Sequence, residues 1–125
     1  MSSIWAQGVE LPRFGPPEGD LRADVLVIGG GLAGILCAWR LAQDGVDCVL
    51  VEADRLCGGV TQNTTAKITA QHGLVYHKLT EKLGPERACL YLEANLAALE
   101  EYRGLCREVD CDFEEKDSFV YAVNG

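Results

Sequence analysis

Apolar positions change their period along the chain, and the changes mark out elements. Residues 23–28 read Ala-Asp-Val-Leu-Val-Ile and residues 46–51 read Val-Asp-Cys-Val-Leu-Val, two short aliphatic runs without strict alternation. Runs of this kind suit strands covered on both faces, as in a parallel sheet. Between them Leu32, Ile35, Leu36, Trp39 and Ala42 recur at helical spacing over residues 32–43, and Asp44-Gly45 supplies a stop. Strand, glycine turn, helix and strand make one βαβ unit, for which a right-handed crossover and parallel strands are expected.

The pattern then loosens. Residues 53–70 are polar and rich in small side chains, a loop with room for one short helical turn. Leu74, Val75, Leu79 and Leu83 predict a short helix, and Gly84-Pro85 ends it and opens the next with proline at a favoured first-turn position. Over residues 86–109, Leu92, Leu96, Leu99, Tyr102, Cys106 and Val109 recur every three or four residues, which predicts a long helix. Phe113-Glu114-Glu115 and residues 118–123 read as two short strands around Lys116-Asp117. Residues 1–20 hold three of the four prolines with Gly8, Gly15 and Gly19, and read as an arm. The expected class is α/β: an arm over 1–21, a Rossmann-like βαβ region with parallel strands over 22–83, then over 84–125 the long helix and the start of an antiparallel sheet.

Composition narrows the function. A chain of 125 residues is long enough for one hydrophobic core. Its net charge of −8 leaves no basic stripe for a phosphate backbone, which disfavours nucleic acid. Ten acids against four bases fall within residues 86–117, a run that reads as a solvated face. The six cysteines include no Cys-x-x-Cys, and Cys37 and Cys48 lie in apolar runs, so most read as core thiols in a reducing compartment. The start of the chain shows no signal-peptide pattern, and the longest apolar run, residues 25–39, is interrupted by four glycines, so a cytoplasmic protein without a membrane span is expected.

The chemistry concentrates at Gly29-Gly30-Gly31-Leu32-Ala33-Gly34, a G-x-G-x-x-G pattern with a strand before it and a helix after it. Gly29 permits the tight turn, Gly31 lets backbone approach a pyrophosphate, and Gly34 lets helix and strand pack closely. The phosphates would rest on the N–H groups of the helix N-terminus. Glu52 closes the second strand, eighteen positions beyond Gly34, where a carboxylate meets ribose hydroxyls. NAD and FAD share this fingerprint. The small-residue stretch that follows, residues 55–67, suits backbone laid against a large planar ligand, and it opposes a simple NAD-dependent dehydrogenase.

With that stretch the sequence resembles the FAD-dependent oxidoreductases of the D-amino-acid oxidase, glycine oxidase and sarcosine oxidase superfamily. Residues 64–73, Thr-Thr-Ala-Lys-Ile-Thr-Ala-Gln-His-Gly, are similar to a bacterial branch in which a Rieske iron–sulfur domain often follows the flavin region. The resemblance implies that Gly29, Gly31, Leu32, Ala33 and Gly34 contact the FAD pyrophosphate, Glu52 the ribose, and Arg55 the adenine side or a phosphate. It further implies backbone contacts at Gly59 and Val60, donors at Thr61, Thr64 and Thr65 near the flavin, and a positive charge from Lys67 favouring the anionic reduced flavin. Asn63 stands where some distant relatives carry a flavin-linking His, so FAD is expected to bind non-covalently. His72 and His77 are not spaced to share a helix face, and no Rieske ligand set is present, so no metal is assigned.

The family's substrate domain and its final flavin-covering segment have no counterpart in these residues. The chain therefore reads as the N-terminal part of a longer amine or amino-acid oxidoreductase, inactive alone, with apolar surface prone to self-association. No catalytic residue is assigned. A non-catalytic nucleotide-binding or interaction module is the alternative of a different class.

Overall fold

The computed structural model describes residues 3, 4 and 7–121, in two compact units, 1–65 and 66–125. In the first unit, strand β1 (Val25–Ile28), helix α1 (Leu32–Gln43) and strand β2 (Cys48–Val51) follow in that order. The strands pair in parallel with Val25 opposite Cys48 and Ile28 opposite Val51. Helix α1 stops where the sequence places its stop. The Gly45 N–H donates to the Ala42 carbonyl at 3.1 Å and the Val46 N–H to Leu41 at 2.9 Å. Gly45 takes φ +74°, the left-handed position that glycine fills at helix ends.

Side chains alternate across a strand, so the register sorts the sheet into two faces. Val25, Val27, Cys48 and Leu50 are half-buried on the α1 side, where the Cys48 thiol donates to the Ala38 carbonyl at 3.5 Å. On the opposite face Leu26 is 58% and Ile28 80% exposed, which corrects the expectation of burial on both sides. One crossover helix covers one face, and arm residues such as Pro17 and Leu21 border the other. Helix α1 also has two apolar faces. Gly34, Ile35, Ala38 and Leu41 are half-buried, whereas Leu32 and Trp39 lie 46% and 40% exposed on a second row with Leu36. Cys37 and Ala42 are exposed. The periodicity had merged the two rows. Described arm residues 9–20 form neither helix nor strand.

The second unit packs helix α2 (Val75–Leu83) on helix α3 (Pro85–Glu108). Gly84 joins them at φ +84° and Pro85 opens α3. Val75, Tyr76 and Leu79 are half-buried on α2, as are Leu92, Asn95, Leu99, Tyr102 and Cys106 on α3. The Tyr76 and Tyr91 rings meet edge to face at 6.0 Å, and the Tyr76 hydroxyl donates to the Ala70 carbonyl. Leu96 and Val109, expected in the packed row, are 48% and 58% exposed. Only Ala88, at 7%, is a buried hydrophobic residue among those described. The acids of residues 86–117 are all exposed, as a solvated face requires.

The predicted strand pair is not formed among the described residues. Residues 110–121 contain neither strand nor helix, while Ala122 and Val123 lie outside the described residues. Two isolated strands gain too little from each other to persist, and Phe119 and Tyr121, at 81% and 84% exposed, have nothing to pack on. Exposure likewise overturns the reading of most cysteines as core thiols: Cys37, Cys89 and Cys111 are exposed, and Cys48, Cys57 and Cys106 are half-buried. No helix among the described residues is long and apolar enough to cross a membrane.

Candidate dinucleotide site

The glycine turn is built from the end of β1 outward. Gly29, at φ +106°, donates its N–H to the Val51 carbonyl at 2.8 Å and so ends the parallel ladder. Helix α1 starts immediately behind it. A Cβ at Gly34 would fall 1.9 Å from the Gly29 carbonyl oxygen, which only glycine avoids. At Gly31 the nearest obstacle to a Cβ is the Thr61 hydroxyl at 3.4 Å, so the chain itself leaves room there.

Gly31 precedes α1 without a side chain to cap it. Thr61 supplies the cap instead, its Oγ1 accepting the Leu32 N–H at 3.0 Å from a 3-10 turn (Thr61–Asn63). The N–H groups of Ala33 and Gly34 follow in the same first turn, where helical geometry provides no intrahelical acceptor and favours an anion.

Glu52 faces this turn from the end of β2. Its Oε2 accepts the Gly30 N–H at 2.6 Å and its Oε1 the Asp54 N–H at 3.0 Å. These two bonds, the Gly30 one foremost, hold the carboxyl below the usual carboxylate range and keep it ionised. Each oxygen keeps a further lone pair, so the group can still accept hydrogen bonds from a diol.

The loop after β2 closes the other side. Gly30 is buried, its carbonyl accepting the Cys57 N–H at 2.8 Å while Leu56 packs where a Cβ would stand. Arg55 lies across Gly58 and donates from Nη2 to Gln62 Oε1 at 2.9 Å, and Gln62 Nε2 donates to the Gly58 carbonyl at 2.5 Å. Cys57 holds φ +55°, a strained value for a non-glycine residue. The result is a crevice of about 350 Å³ lined by Gly30, Gly31, Glu52, Asp54, Arg55 and residues 57–61.

Among the sequence-predicted residues, Gly31, Glu52, Arg55, Gly59, Val60 and Thr61 therefore meet at the crevice. Gly29, Leu32, Ala33 and Gly34 frame it as the turn and first helical turn. Thr64 stands beside it, its hydroxyl donating to the Thr61 carbonyl at 3.3 Å. Thr65 is exposed and does not line the crevice, and Lys67, also exposed, belongs to the second unit. Sequence reasoning missed Gly30, Asp54, Leu56 and Gln62. Gly30 had a signal, the middle glycine of an unbroken triplet, whereas the Arg55–Gln62 link depends on how the loop folds. Elsewhere His72 Nε2 lies 3.4 Å from Asn95 Oδ1, and His77 pairs with Glu81 at 3.5 Å on the surface. Among the described residues no group of three His, Cys, Asp or Glu is placed to hold a metal ion.

Anion-seeking amides, an ionised carboxylate, an Arg and unobstructed backbone at Gly31 are a donor and acceptor set that fits a dinucleotide. Comparison with known proteins narrows this further. The family model described as FAD dependent oxidoreductase matches residues 24–125. The chain is 38% identical over 98% of its length to YhfW of Bacillus subtilis strain 168, provisionally named as a Rieske 2Fe-2S iron-sulfur protein, and covers 24% of it. It is 39% identical over 53% of its length to mitochondrial dimethylglycine dehydrogenase of Mus musculus, covering 8% of that chain. It is 37% identical over 47% of its length to pseudooxynicotine dehydrogenase of a Pseudomonas species, covering 12%. No solved structure matches. The glycine turn with its facing Glu52, inside a match that runs from the first strand onward, places this chain in the FAD-dependent oxidoreductase family.

Proposed function

We propose that this chain is the FAD-binding portion of an oxidoreductase that oxidises an amine or amino acid by hydride transfer to flavin. The observation that carries the reading is that Glu52 accepts the Gly30 N–H and shares one crevice with Gly31, the residue that opens α1. In it the amides from Gly31 to Gly34 hold the pyrophosphate, Glu52 accepts from the ribose hydroxyls, and Arg55 lies toward the adenine side or a phosphate. Thr61 and Thr64 serve the flavin side. Bound FAD supplies the two-electron acceptor, and the protein supplies position and electrostatics. The substrate class is supported by a relative named for dimethylglycine, an N-methylated amino acid.

The test is reconstitution of the purified chain with FAD, read by flavin fluorescence and absorbance, against Gly31→Val and against NADH. Flavin binding that the variant abolishes supports the reading. NADH binding without flavin binding would replace it with an NAD-dependent dehydrogenase. In the full polypeptide, bound flavin that no amine or amino acid bleaches under anaerobic conditions would leave a non-catalytic nucleotide-binding module.

A further inference from the structure

A cation that shares a crevice with carboxylates ordinarily pairs with them and is lost to an anionic ligand. Arg55 lines the crevice together with Glu52 and Asp54. Among the described residues, however, no ion pair includes Arg55. Its partner is a neutral side chain, Gln62, whose Oε1 accepts from Arg55 Nη2 at 2.9 Å. Gln62 is fixed in turn, because its Nε2 donates to the Gly58 carbonyl at 2.5 Å. With the donor end of the amide held there, the carbonyl end is left to face Arg55. Gly58 adds a second restraint. Its N–H donates to the Arg55 carbonyl at 3.1 Å, which closes a turn, and a Cβ on it would fall 2.8 Å from Arg55 Nε. The arginine therefore lies across a glycine where a larger residue would push it aside. Gln62 itself is half-buried and does not line the crevice.

We propose that Gln62 is a positioning residue for dinucleotide binding, a neutral tether that holds the Arg55 guanidinium at the crevice with its charge uncompensated, to meet the pyrophosphate. This rests on the dinucleotide reading of the crevice. A tethered arginine has less side-chain freedom left to lose when the ligand arrives. An uncharged acceptor leaves the positive charge for an anion, and the guanidinium keeps further N–H groups for charge-assisted hydrogen bonds to phosphate oxygens. A carboxylate in place of the amide would do neither job. Ionised, it has no hydrogen to give the Gly58 carbonyl, and it would neutralise the guanidinium it holds.

The test is fluorescence titration of the purified chain with FAD over a range of salt concentrations, for the native sequence and for R55A, Q62L, Q62E and the double variant R55A/Q62L. Arg55→Ala should weaken FAD binding about tenfold, the loss of a hydrogen-bonded charge, and should flatten its dependence on salt. Gln62→Leu should weaken binding several-fold and flatten the salt dependence in the same way. It should add nothing in the Arg55→Ala background, because it acts through Arg55. Gln62→Glu keeps the shape of the side chain, so it tests the charge even if Gln62→Leu disturbs the loop, and it should weaken binding at least as much. A native chain that binds no FAD would overturn the dinucleotide reading and this proposal with it. With FAD bound by the native chain, three results would each overturn the proposal alone: native affinity in Gln62→Leu, a Gln62→Leu loss that persists with Arg55→Ala, or native affinity in Gln62→Glu.

Discussion

Two glycines of one turn are glycine for different reasons, and substitution separates them. A methyl at Gly34 has backbone 1.9 Å away, so Gly34→Ala should cost on the order of 1–3 kcal/mol, read as a lower thermal midpoint. A methyl at Gly31 meets only the Thr61 hydroxyl at 3.4 Å, so Gly31→Ala should leave the melt nearly unchanged. Its effect should fall on the ligand, a loss of flavin affinity of roughly tenfold or more, about 1.4 kcal/mol, by fluorescence titration. Glu52 adds a pH dependence. Its carboxyl is held down by amides in the folded chain, so its stabilisation is present above the unfolded carboxylate range and lost as pH falls through the folded value. Glu52→Gln should flatten that acid limb of an unfolding curve followed against pH. The three motif glycines and Glu52 were legible because each role follows from spacing to a neighbouring element. Gly30 was not singled out, since its burial comes from Leu56 arriving over it.

At the scale of elements, β1, α1, β2, α2 and α3 were readable because each is set by a local period and by punctuation at Gly45 and Gly84-Pro85. What caps α1 was not readable, because the cap comes from Thr61, twenty-nine positions away. Thr61→Val removes that acceptor, and α1 should lose on the order of 1 kcal/mol, measurable by denaturant unfolding. A drop of that size at the cap with β2 intact would tie the loop after β2 to the start of the helix. Of the strands expected over 113–123, the described part, residues 113–121, forms none, for a related reason. Alternation states which face is apolar, but a strand exists only against a partner, and residues 110–121 have none.

Over the whole molecule, apolar side chains outnumber the places that bury them. Ile28, Leu90 and Phe119 are 80%, 65% and 81% exposed, and one face of the β1–β2 sheet is only partly covered. The purified chain should therefore bind a hydrophobic dye and sediment with a mass that rises with concentration; a monomer at all concentrations would count against self-association. The sequence by itself determined the order of strands and helices, the parallel pairing implied by a short crossover, and the presence of a dinucleotide turn, because these depend on near neighbours and on glycine's lack of a Cβ. Tertiary structure alone decided which apolar rows are covered, that the Arg55–Gln62 loop walls the crevice, and that Glu115 returns to Arg103. Those outcomes depend on contacts between residues that share no local period, and only the folded chain brings them together.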